Sequence, residues 1–418
     1  MYRKVIKRID AFELFQKLYL EKDVCFFYSN SEKGWQKNIA MEANDKFIYN
    51  GGNLQKFEND LERFVYKNTK KNRKICGFIA YDIGYEIYNL KKTAKDDLCL
   101  PKAVFMAFDN WVEVMDGGIR LIYKDKKFVD KIFDANERKI PKQKNIQNCN
   151  FVPEMRKKKY NDSYKKIKQH IYDGDIYQIN LTHRLKARTD LTAKELFVRV
   201  ARANPVDFFA YLEGDGFEII SASPERFVRI EKQNIETCPV KGTRPRGKNK
   251  MDDERLKKEL MRSEKEAAEL NMITDLMRND LGKVCEIGSV KVMGSRLISV
   301  CSTVFHIYSK VVGKISKKTS QIKALISVLP GGSITGCPKK RAMQVIDELE
   351  PVTRGIYTGV VGQINSVDQY DFSIAIRTIV KKGKNLFLQV GGGIVLDSNL
   401  KDEFEETLVK AKSFMNIL

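Results

Sequence analysis

The sequence predicts an α+β protein, and three observations support this. Short segments rich in aromatic and β-branched residues recur along the whole chain, helical segments stand between some of them, and no regular strand–helix alternation runs through the sequence. The chain has 418 residues, of which 43% are hydrophobic, and so exceeds the size at which one simple core stops growing. We therefore expect two domains, or one large domain with two lobes.

Strand-like runs separated by polar turns make up the first part of the chain. From Ala135 to Met155 the sequence is polar, shows almost no hydrophobic periodicity and carries prolines at 141 and 153, which indicates a linker. We therefore expect a strand-rich amino-terminal lobe in residues 1–150 and a second region in residues 151–418. The strand-like runs of the first part are DVCFFYS, KICGFIAYDIGYEIY, AVFMAFDNWVEVM and IRLIYK.

Helices and strands mix in the second region. Tyr164, Ile167 and Ile171 repeat at helical spacing before Gly174, which predicts a helix that ends at that glycine. Further helices are predicted in LTAKELFVRVARAN, in one long stretch from Asp252 to Met277, and in KDEFEETLVKAKSFMNI. The predicted strands are DFFAYLE, FEIISAS, RFVRI, SVKVM, VFHIYSKVV, YTGVVGQI, FSIAIRTIV and NLFLQVGGGIV.

The composition indicates where the protein works. No stretch approaches the roughly 18 apolar residues of a membrane span, and the charged amino terminus lacks the apolar core of a secretion signal. The eight cysteines are scattered, without a CxxC pair or a histidine at metal-ligand spacing, which favours reduced thiols. We therefore expect a cytoplasmic protein without a membrane partner.

The formal net charge of +21 raises the alternative of a nucleic-acid-binding protein. The lysines, however, occur in short runs along the whole chain, without interleaved aromatic residues or a recognisable nucleic-acid motif. This distribution favours a lysine-rich surface, and we expect no nucleic-acid partner. A noncatalytic basic binding protein stays the alternative from another class.

Two pairs of glutamates lie beside helix positions that are predicted to be buried. Glu266 and Glu269 share a stripe with Leu270, Ile273 and Met277, because a helix turns 100° per residue. An unpaired carboxylate there is costly, so it needs a cation, a hydrogen-bond network or a cleft that opens to water. Four carboxylates without a neighbouring His or Cys fit a hard ion such as Mg²⁺, and solvated glutamates paired with lysines are the alternative. The second pair is Glu403 and Glu406, beside the apolar stripe of Phe404, Leu408, Ala411 and Met415.

Two glycine-rich stretches expose backbone N–H groups that could bind anions. They are LPGGSITGCPKKRAM (329–343), which leads into a predicted helix near Pro338, and VGGGIVLDS (390–398). The first lacks the GxxxxGK[ST] spacing of a Walker A loop. Plain turns explain either stretch equally well.

Eight motifs follow one another in the second region. In chain order they are SASPERF, PVKGTRPRG, KEAAELNMITDLMRNDLGKV, TVFHIYSKVVG, GGSITGCPKKRAMQVIDELE, RGIYTGVVGQI, DFSIAIRTIV and GGGIVLDSNLKDEFEET. Together they resemble the chorismate-utilising enzymes, a family that includes anthranilate, aminodeoxychorismate, isochorismate and salicylate synthases. The resemblance covers about residues 155–418, and before residue 150 only CGFIAYDIGYE is similar to the family. It implies a two-lobed fold like that of anthranilate synthase component I, with two stacked, mostly antiparallel sheets and a central cleft for chorismate.

The resemblance implies roles for most of the polar residues. Glu269 and Glu406 would hold Mg²⁺ directly and Glu266 and Glu403 through its waters, so that the ion binds the ring carboxylate of chorismate. His306 would lie beside the C4 hydroxyl, although a lone strand histidine is more often structural. The substrate-binding residues that the resemblance implies are Arg377 and Tyr357 for the enolpyruvyl carboxylate, Gly392, Gly393 and Lys410 for the ring carboxylate, and Thr243, Ser333 and Thr335.

The segment PVKGTRPRG (239–247) separates members of the family. On composition alone it reads as a surface turn, but the residue before its first glycine is alanine in sequences that resemble anthranilate synthases and lysine in those that resemble aminodeoxychorismate synthases. Here it is Lys241, beside Arg244 and Arg246, two cations that can lower the pKa of its amine. The family mechanism would have Lys241 attack C2 of chorismate while Glu225 protonates the leaving C4 hydroxyl, after which ammonia adds at C4.

Further motifs narrow the assignment and imply a partner. Gln178 stands where isochorismate and salicylate synthases have a water-activating lysine, and the LLES block of tryptophan-inhibited anthranilate synthases is missing. No GxCxGxQ motif of a glutamine amidotransferase is present, so a separate subunit would supply ammonia. The resemblance therefore implies component I of an aminodeoxychorismate synthase, whose product a separate lyase converts to p-aminobenzoate for folate. Anthranilate synthase component I is the alternative.

Overall fold

The structure is a computed structural model that describes residues 1–32, 34–141, 149–300 and 304–415. In these residues 22 strands form two sheets, one of twelve strands and one of ten. The strands are β1 Tyr2–Lys7, β2 Cys25–Tyr28, β3 Asn38–Ala40, β4 Asp45–Tyr49, β5 Lys74–Ile79, β6 Ala103–Phe108, β7 Trp111–Met115, β8 Gly118–Tyr123, β9 Val152–Pro153, β10 Gln178–Arg188, β11 Phe208–Gly214, β12 Phe217–Ser223, β13 Arg226–Glu231, β14 Asn234–Thr237, β15 Val240–Pro245, β16 Lys291–Val300, β17 Val304–Lys314, β18 Gly336–Cys337, β19 Val360–Ser366, β20 Gln369–Ile374, β21 Thr378–Lys382 and β22 Asn385–Ile394.

Eleven α-helices surround the sheets in the same described residues. They are α1 Ala11–Lys17, α2 Leu54–Thr69, α3 Ile83–Ile87, α4 Lys126–Glu137, α5 Lys157–Tyr172, α6 Ala193–Ala203, α7 Lys250–Arg262, α8 Glu264–Gly282, α9 Gln321–Ser327, α10 Lys339–Leu349 and α11 Leu400–Met415.

The two sheets stack face to face and helices cover their outer faces. The larger sheet has the order β1-β8-β7-β3-β2-β11-β12-β21-β22-β10-β18, with β9 on β10, and the smaller has β15-β17-β14-β13-β20-β19-β5-β6-β4, with β16 on β17. Phe27 and Leu212 of the larger sheet and Phe78 and Val361 of the smaller one belong to the same buried apolar layer. This packing confirms the predicted α+β class and the two stacked antiparallel sheets.

Both sheets draw strands from both sides of the boundary predicted near residue 150. In the larger sheet β2 pairs with β11, and in the smaller one β5 pairs with β19. Of the predicted linker 135–155, residues 142–148 lie outside the described residues. Its two ends are structured, because residues 135–137 complete α4 and β9 pairs with β10. The division at residue 150 therefore does not coincide with a division between the sheets.

The predicted helices are found, with two corrections. The stretch from Asp252 to Met277 is two helices, because Ser263 adopts an extended conformation and its side chain caps α8 at the N–H of Glu266. The segment YDIGYEIY, predicted as part of a strand, contains the short helix α3. The helix before Gly174 is confirmed as α5, and that glycine has a φ of +76°, which suits the end of a helix.

One buried ion pair connects the loops and strands at the centre of the chain. Arg354 donates to Glu350 at 2.7 and 2.9 Å, to the carbonyl of Ile334 at 2.8 Å and to the carbonyl of Asn180 at 2.6 Å. Its guanidinium also lies over the ring of Tyr81, 4.6 Å from the centroid. Glu350 in turn accepts from the backbone N–H of residue 182 on β10. Because both charges are buried and fully bonded, removal of one leaves the other without its partner.

We predict that Arg354→Met lowers the free energy of unfolding by about 3–5 kcal/mol, because it leaves a buried carboxylate unpaired. Urea unfolding followed by circular dichroism measures the change. The control is Arg278→Met, whose ion pair with Asp275 at 2.8 Å is half exposed, so its cost should stay below about 1 kcal/mol. Equal unfolding midpoints for the two variants would contradict this role of Arg354.

Candidate active site

A bulge at the edge of the smaller sheet positions Lys241. In β15, which pairs with β17, the register shifts between Lys241 and Thr243, and Gly242 has a φ of +63°. A Cβ atom at Gly242 would lie 2.9 Å from Oε2 of Glu266, so both the backbone conformation and the space require glycine. The segment is therefore a bulged strand packed against the start of α8, and the surface-turn interpretation of PVKGTRPRG is wrong.

Three strands and one helix meet at the amine of Lys241. Its Nζ lies 3.5 Å from Oε2 of Glu269 on α8. A Cβ built on Gly393 of β22 would lie 3.4 Å from this Nζ and 3.0 Å from Nε2 of Gln178 on β10. Gln178 is fully buried, and neither atom of its amide has a hydrogen-bond partner among the described residues. A buried amide without partners beside an amine indicates a place for a polar ligand.

The four glutamates reach the same region from the first two turns of α8 and of α11. Leu270, Ile273 and Met277 are buried as predicted and fix the face that α8 presents. Ser398 donates to Glu403 at 2.6 Å, and a Cβ on Gly392 would lie 3.1 Å from Oε2 of Glu403.

Three of these carboxylates form ion pairs. Glu269 contacts Lys241, Glu266 contacts Arg244 at 3.3 Å, and Glu406 contacts Lys410 at 2.7 Å. Burial raises the pKa of Glu403. Burial also acts to raise the pKa of Glu406, but the charge and hydrogen bond of Lys410 together with the charges of Lys241 and Lys265 outweigh it and lower that pKa. In the described ranges, no three Asp, Glu, His or Cys side chains lie close enough together to ligate one ion. The set of four carboxylate donors nevertheless has the chemistry that Mg²⁺ prefers.

Glu225 is a buried carboxyl whose pKa is raised into the neutral range. Burial raises its pKa to about 7, although the hydroxyl of Ser333, which donates to Oε1 at 2.9 Å, and the charge of Lys241 oppose this. A carboxyl with such a pKa can act as a proton donor at the pH of a cell. Glu225, the predicted acid, therefore lies close enough to Lys241, the predicted nucleophile, for the charge of the amine to act on it.

His306 is held as a neutral ring. Its Nδ1 lies 2.9 Å from Oγ1 of Thr243. Burial, together with the charge of Arg377, lowers the pKa of His306 to about 4. Since β17 carries His306 and pairs with β15, the histidine lies one strand away from Lys241.

The remaining predicted substrate-binding residues have different environments. Burial raises the pKa of Tyr357, so its hydroxyl stays protonated. Lys410 donates to the carbonyl of Gly391 at 2.9 Å, beside Gly392. The hydroxyl of Thr335 donates to the carbonyl of Gly331 at 2.8 Å and stabilises its own turn. The hydroxyl of Thr335 is thus engaged within its own turn.

Sequence reasoning assigned no role to two supporting residues. Arg354 lies in the motif RGIYTG but reveals its role only through its bonds to distant segments. Lys265 lies one residue from Glu266, and its charge acts on both Glu403 and Glu406 across the gap between α8 and α11. The available signal was a lysine directly before the predicted carboxylate Glu266.

The fold and this arrangement of residues define a chorismate binding enzyme. The chain belongs to that family, whose model matches residues 24–416. It is 36% identical to aminodeoxychorismate synthase component 1 of Bacillus subtilis (82% of this chain, 76% of that one). It is also 36% identical to anthranilate synthase component 1 of Acetivibrio thermocellus (82% and 74%).

Solved structures agree on the fold. The structure superposes on anthranilate synthase component I from Streptococcus pneumoniae with a TM-score of 0.82 at 24% identity, covering 93% of this chain and 94% of that one. The TM-score is 0.77 against the menaquinone-specific isochorismate synthase from Escherichia coli, at 18% identity, with 100% and 95% covered. The predicted family and its fold are thus confirmed, while identity alone does not distinguish the two kinds of component 1.

No helix in the described part of the chain has the length and apolar content needed to cross a bilayer. The cytoplasmic location stays a prediction.

We predict that Glu225 makes stability depend on pH. The folded protein holds its proton up to pH 7, whereas the carboxyl of the unfolded chain releases it near 4.5, so the stabilisation is complete below 4.5 and is lost as the pH rises through 7. The difference in unfolding free energy between the wild type and Glu225→Gln should fall by roughly 2–3 kcal/mol between pH 5 and pH 8. Urea titrations at four pH values measure it, with the exposed Glu405→Gln as control. A difference that stays constant with pH would contradict the raised pKa.

Proposed function

We propose that this chain is component I of an aminodeoxychorismate synthase, which converts chorismate and ammonia to 4-amino-4-deoxychorismate and water. The observation that carries the proposal is Lys241, whose amine lies beside Glu269, Gln178 and Gly393 and near the protonated carboxyl of Glu225. An amine at this point can act as a nucleophile, which an alanine could not.

The first step forms a covalent intermediate on Lys241. Its Nζ bonds to C2 of chorismate, the two ring double bonds shift, and the C4–O bond breaks as Glu225 donates the proton that turns the hydroxyl into water. Ammonia then bonds to C4, the double bonds shift back and the Nζ–C2 bond breaks. The proton that Nζ loses on bonding returns to it on leaving, and the proton that ammonia loses restores Glu225.

Gln178 favours ammonia over water as the second nucleophile. An amide has no basic group that could deprotonate water, whereas ammonia attacks without prior activation. The oxygen and nitrogen of the Gln178 side chain bond to no other described residue, so they offer an acceptor and a donor to ammonia. This supports amination rather than hydration at the site.

Charged and neutral donors around the site suit a substrate with two carboxylates. Arg377 and the protonated hydroxyl of Tyr357 would bind the enolpyruvyl carboxylate, and Lys410 with the N–H groups of Gly392 and Gly393 would bind the ring carboxylate. Neutral His306, oriented by Thr243, would lie at the C4 hydroxyl, and Ser333 would orient Glu225, whereas Thr335 would support the turn that carries Ser333. In this proposal the polar residues of the site act on the same substrate molecule.

Mg²⁺ completes the proposed site. Glu269 and Glu406 would hold it directly and Glu266 and Glu403 through water. Bound there, the ion would neutralise the ring carboxylate of chorismate. The charge of Lys241 acts on both helices, because it pairs with Glu269 of α8 and lowers the pKa of Glu406 on α11. A divalent ion held there would add positive charge where four carboxylates meet.

The ammonia would come from a separate glutamine amidotransferase subunit, because the chain has no reactive-cysteine motif of that class. The product would pass to a separate lyase that makes p-aminobenzoate for folate. Anthranilate synthase component I is the second candidate, since relatives of both names match equally well. That function would leave Lys241 without a catalytic role, and the position of Lys241 at the centre of the site disfavours this.

We predict that chorismate and Mg²⁺ without ammonia leave an adduct on Lys241 with the mass of chorismate less one water. Intact-protein mass spectrometry detects it, and peptide mapping places it in the segment that contains CPVKGTR. Lys241→Ala should nearly abolish aminodeoxychorismate formation while chorismate binding persists, because the amine acts mainly on the transition state. Wild-type rates for the alanine variant, or anthranilate as the main product, would contradict the proposal.

We predict that Glu269→Gln and Glu406→Gln nearly abolish turnover and Mg²⁺ binding, because each removes a charged ligand from a hard cation. Glu266→Gln should cost about 10- to 100-fold, as expected for a residue that acts through a bound water. Calorimetric titration with Mg²⁺ in the presence of chorismate measures binding independently of turnover, and Glu405→Gln is the control. Full activity in EDTA would remove the metal from the mechanism.

A further inference from the structure

Residues 251–300 hold a larger share of the exposed apolar side chains than the length of this segment explains. Seven of the 21 exposed large apolar side chains of the described residues lie in the 50 residues from 251 to 300, on α7, on β16 and in the turn before β16. The buried core around this segment holds only four residues, from α7, α8 and β17. Such a concentration of exposed apolar side chains on a folded protein marks an interaction site. The seven are Met251, Met261, Ile287, Val292, Met293, Leu297 and Val300.

Five of the seven lie on strand β16 and in the turn before it, and we call the surface that they form the β16 face. Its residues are Ile287, Val292, Met293, Leu297 and Val300. Strand β16 pairs with β17 along one edge, and no other described strand pairs with its outer edge. Two register shifts around Gly294 bend it, which makes it a poor template for an added strand. The contact therefore rests on side chains, among them Met293, which is 64% exposed and borders an open groove of about 730 Å³.

The β16 face adjoins the candidate active site. β16 and β15 flank β17 on opposite edges, so Ile298 and Lys241 both pair with Ile307. Two strand spacings of about 4.8 Å put these strands roughly 10 Å apart. A protein seated on β16 thus lies next to the amine and to His306, the place where ammonia is needed.

The positive charge of the β16 face favours a partner with an acidic surface. Lys291 and Arg296 are exposed on β16 and form no ion pair with any other described residue. The chain as a whole carries a net charge of +21, so a second copy would bring like charges together. A different protein with an acidic rim around an apolar centre fits the same surface.

We propose that the β16 face docks the glutamine amidotransferase subunit that supplies ammonia, and that this subunit presents an acidic rim to Lys291 and Arg296. The inference rests on the proposed function, because the need for an ammonia donor comes from it. It adds the surface through which that donor acts.

Paired rate measurements test the docking surface. Met293→Arg and Ile287→Arg are made, with Val367→Arg as the control, since Val367 is an exposed apolar residue between β19 and β20. Each variant is assayed with ammonium chloride alone and with glutamine plus the purified amidotransferase subunit of the same organism. Binding of that subunit is measured by calorimetry.

We expect the two β16-face variants to lose at least tenfold in the glutamine-driven rate and in subunit affinity, with the ammonium-driven rate unchanged. The control should keep both rates. Unchanged affinity of Met293→Arg and Ile287→Arg for the amidotransferase subunit would overturn the inference. So would the finding that the wild-type chain self-associates and that these two variants abolish its self-association. Failure of the wild type to aminate chorismate with ammonium would instead contradict the proposed function. The affinities measured by calorimetry would still test the docking surface.

Discussion

The buried pair of Arg354 and Glu350 is the constraint on which the site depends most. Through it β10, the turn at Ile334 and the segment before Tyr357 are bonded to one guanidinium. β10 carries Gln178, and the same turn carries Ser333, the partner of Glu225. Because a buried charge tolerates few alternative positions, the pair sets the distances between residues that are far apart in the sequence.

Much of this architecture could be predicted from local patterns, and the exceptions have physical causes. The stripe of Leu270, Ile273 and Met277 predicted the buried face of α8, and it is buried. The break at Ser263 was missed because helix propensity continues across it and the capping hydrogen bond is visible only in three dimensions. The helix α3 was missed because its residues also suit a strand.

The candidate site was predictable as a set of residues but not as an arrangement. The motifs named Lys241, Glu225 and the four glutamates, whereas the bulge at Gly242 that directs Lys241 toward Glu269 depends on packing against Glu266. Likewise, Gln178 was recognised by position alone. That its amide finds no partner in the described part of the chain follows from burial by segments distant in sequence. Pairwise contacts between distant strands leave no periodic signal in one sequence.

The pairing of β2 with β11 and of β5 with β19 has a consequence for how the chain can be divided. A fragment that began after residue 150 would lose five strands from one sheet and three from the other, and both cut edges would be long, apolar and open to other chains. Such a fragment should aggregate, whereas the two halves produced together could complement each other and restore both sheets. The strands before residue 150 and those after it thus belong to one folding unit.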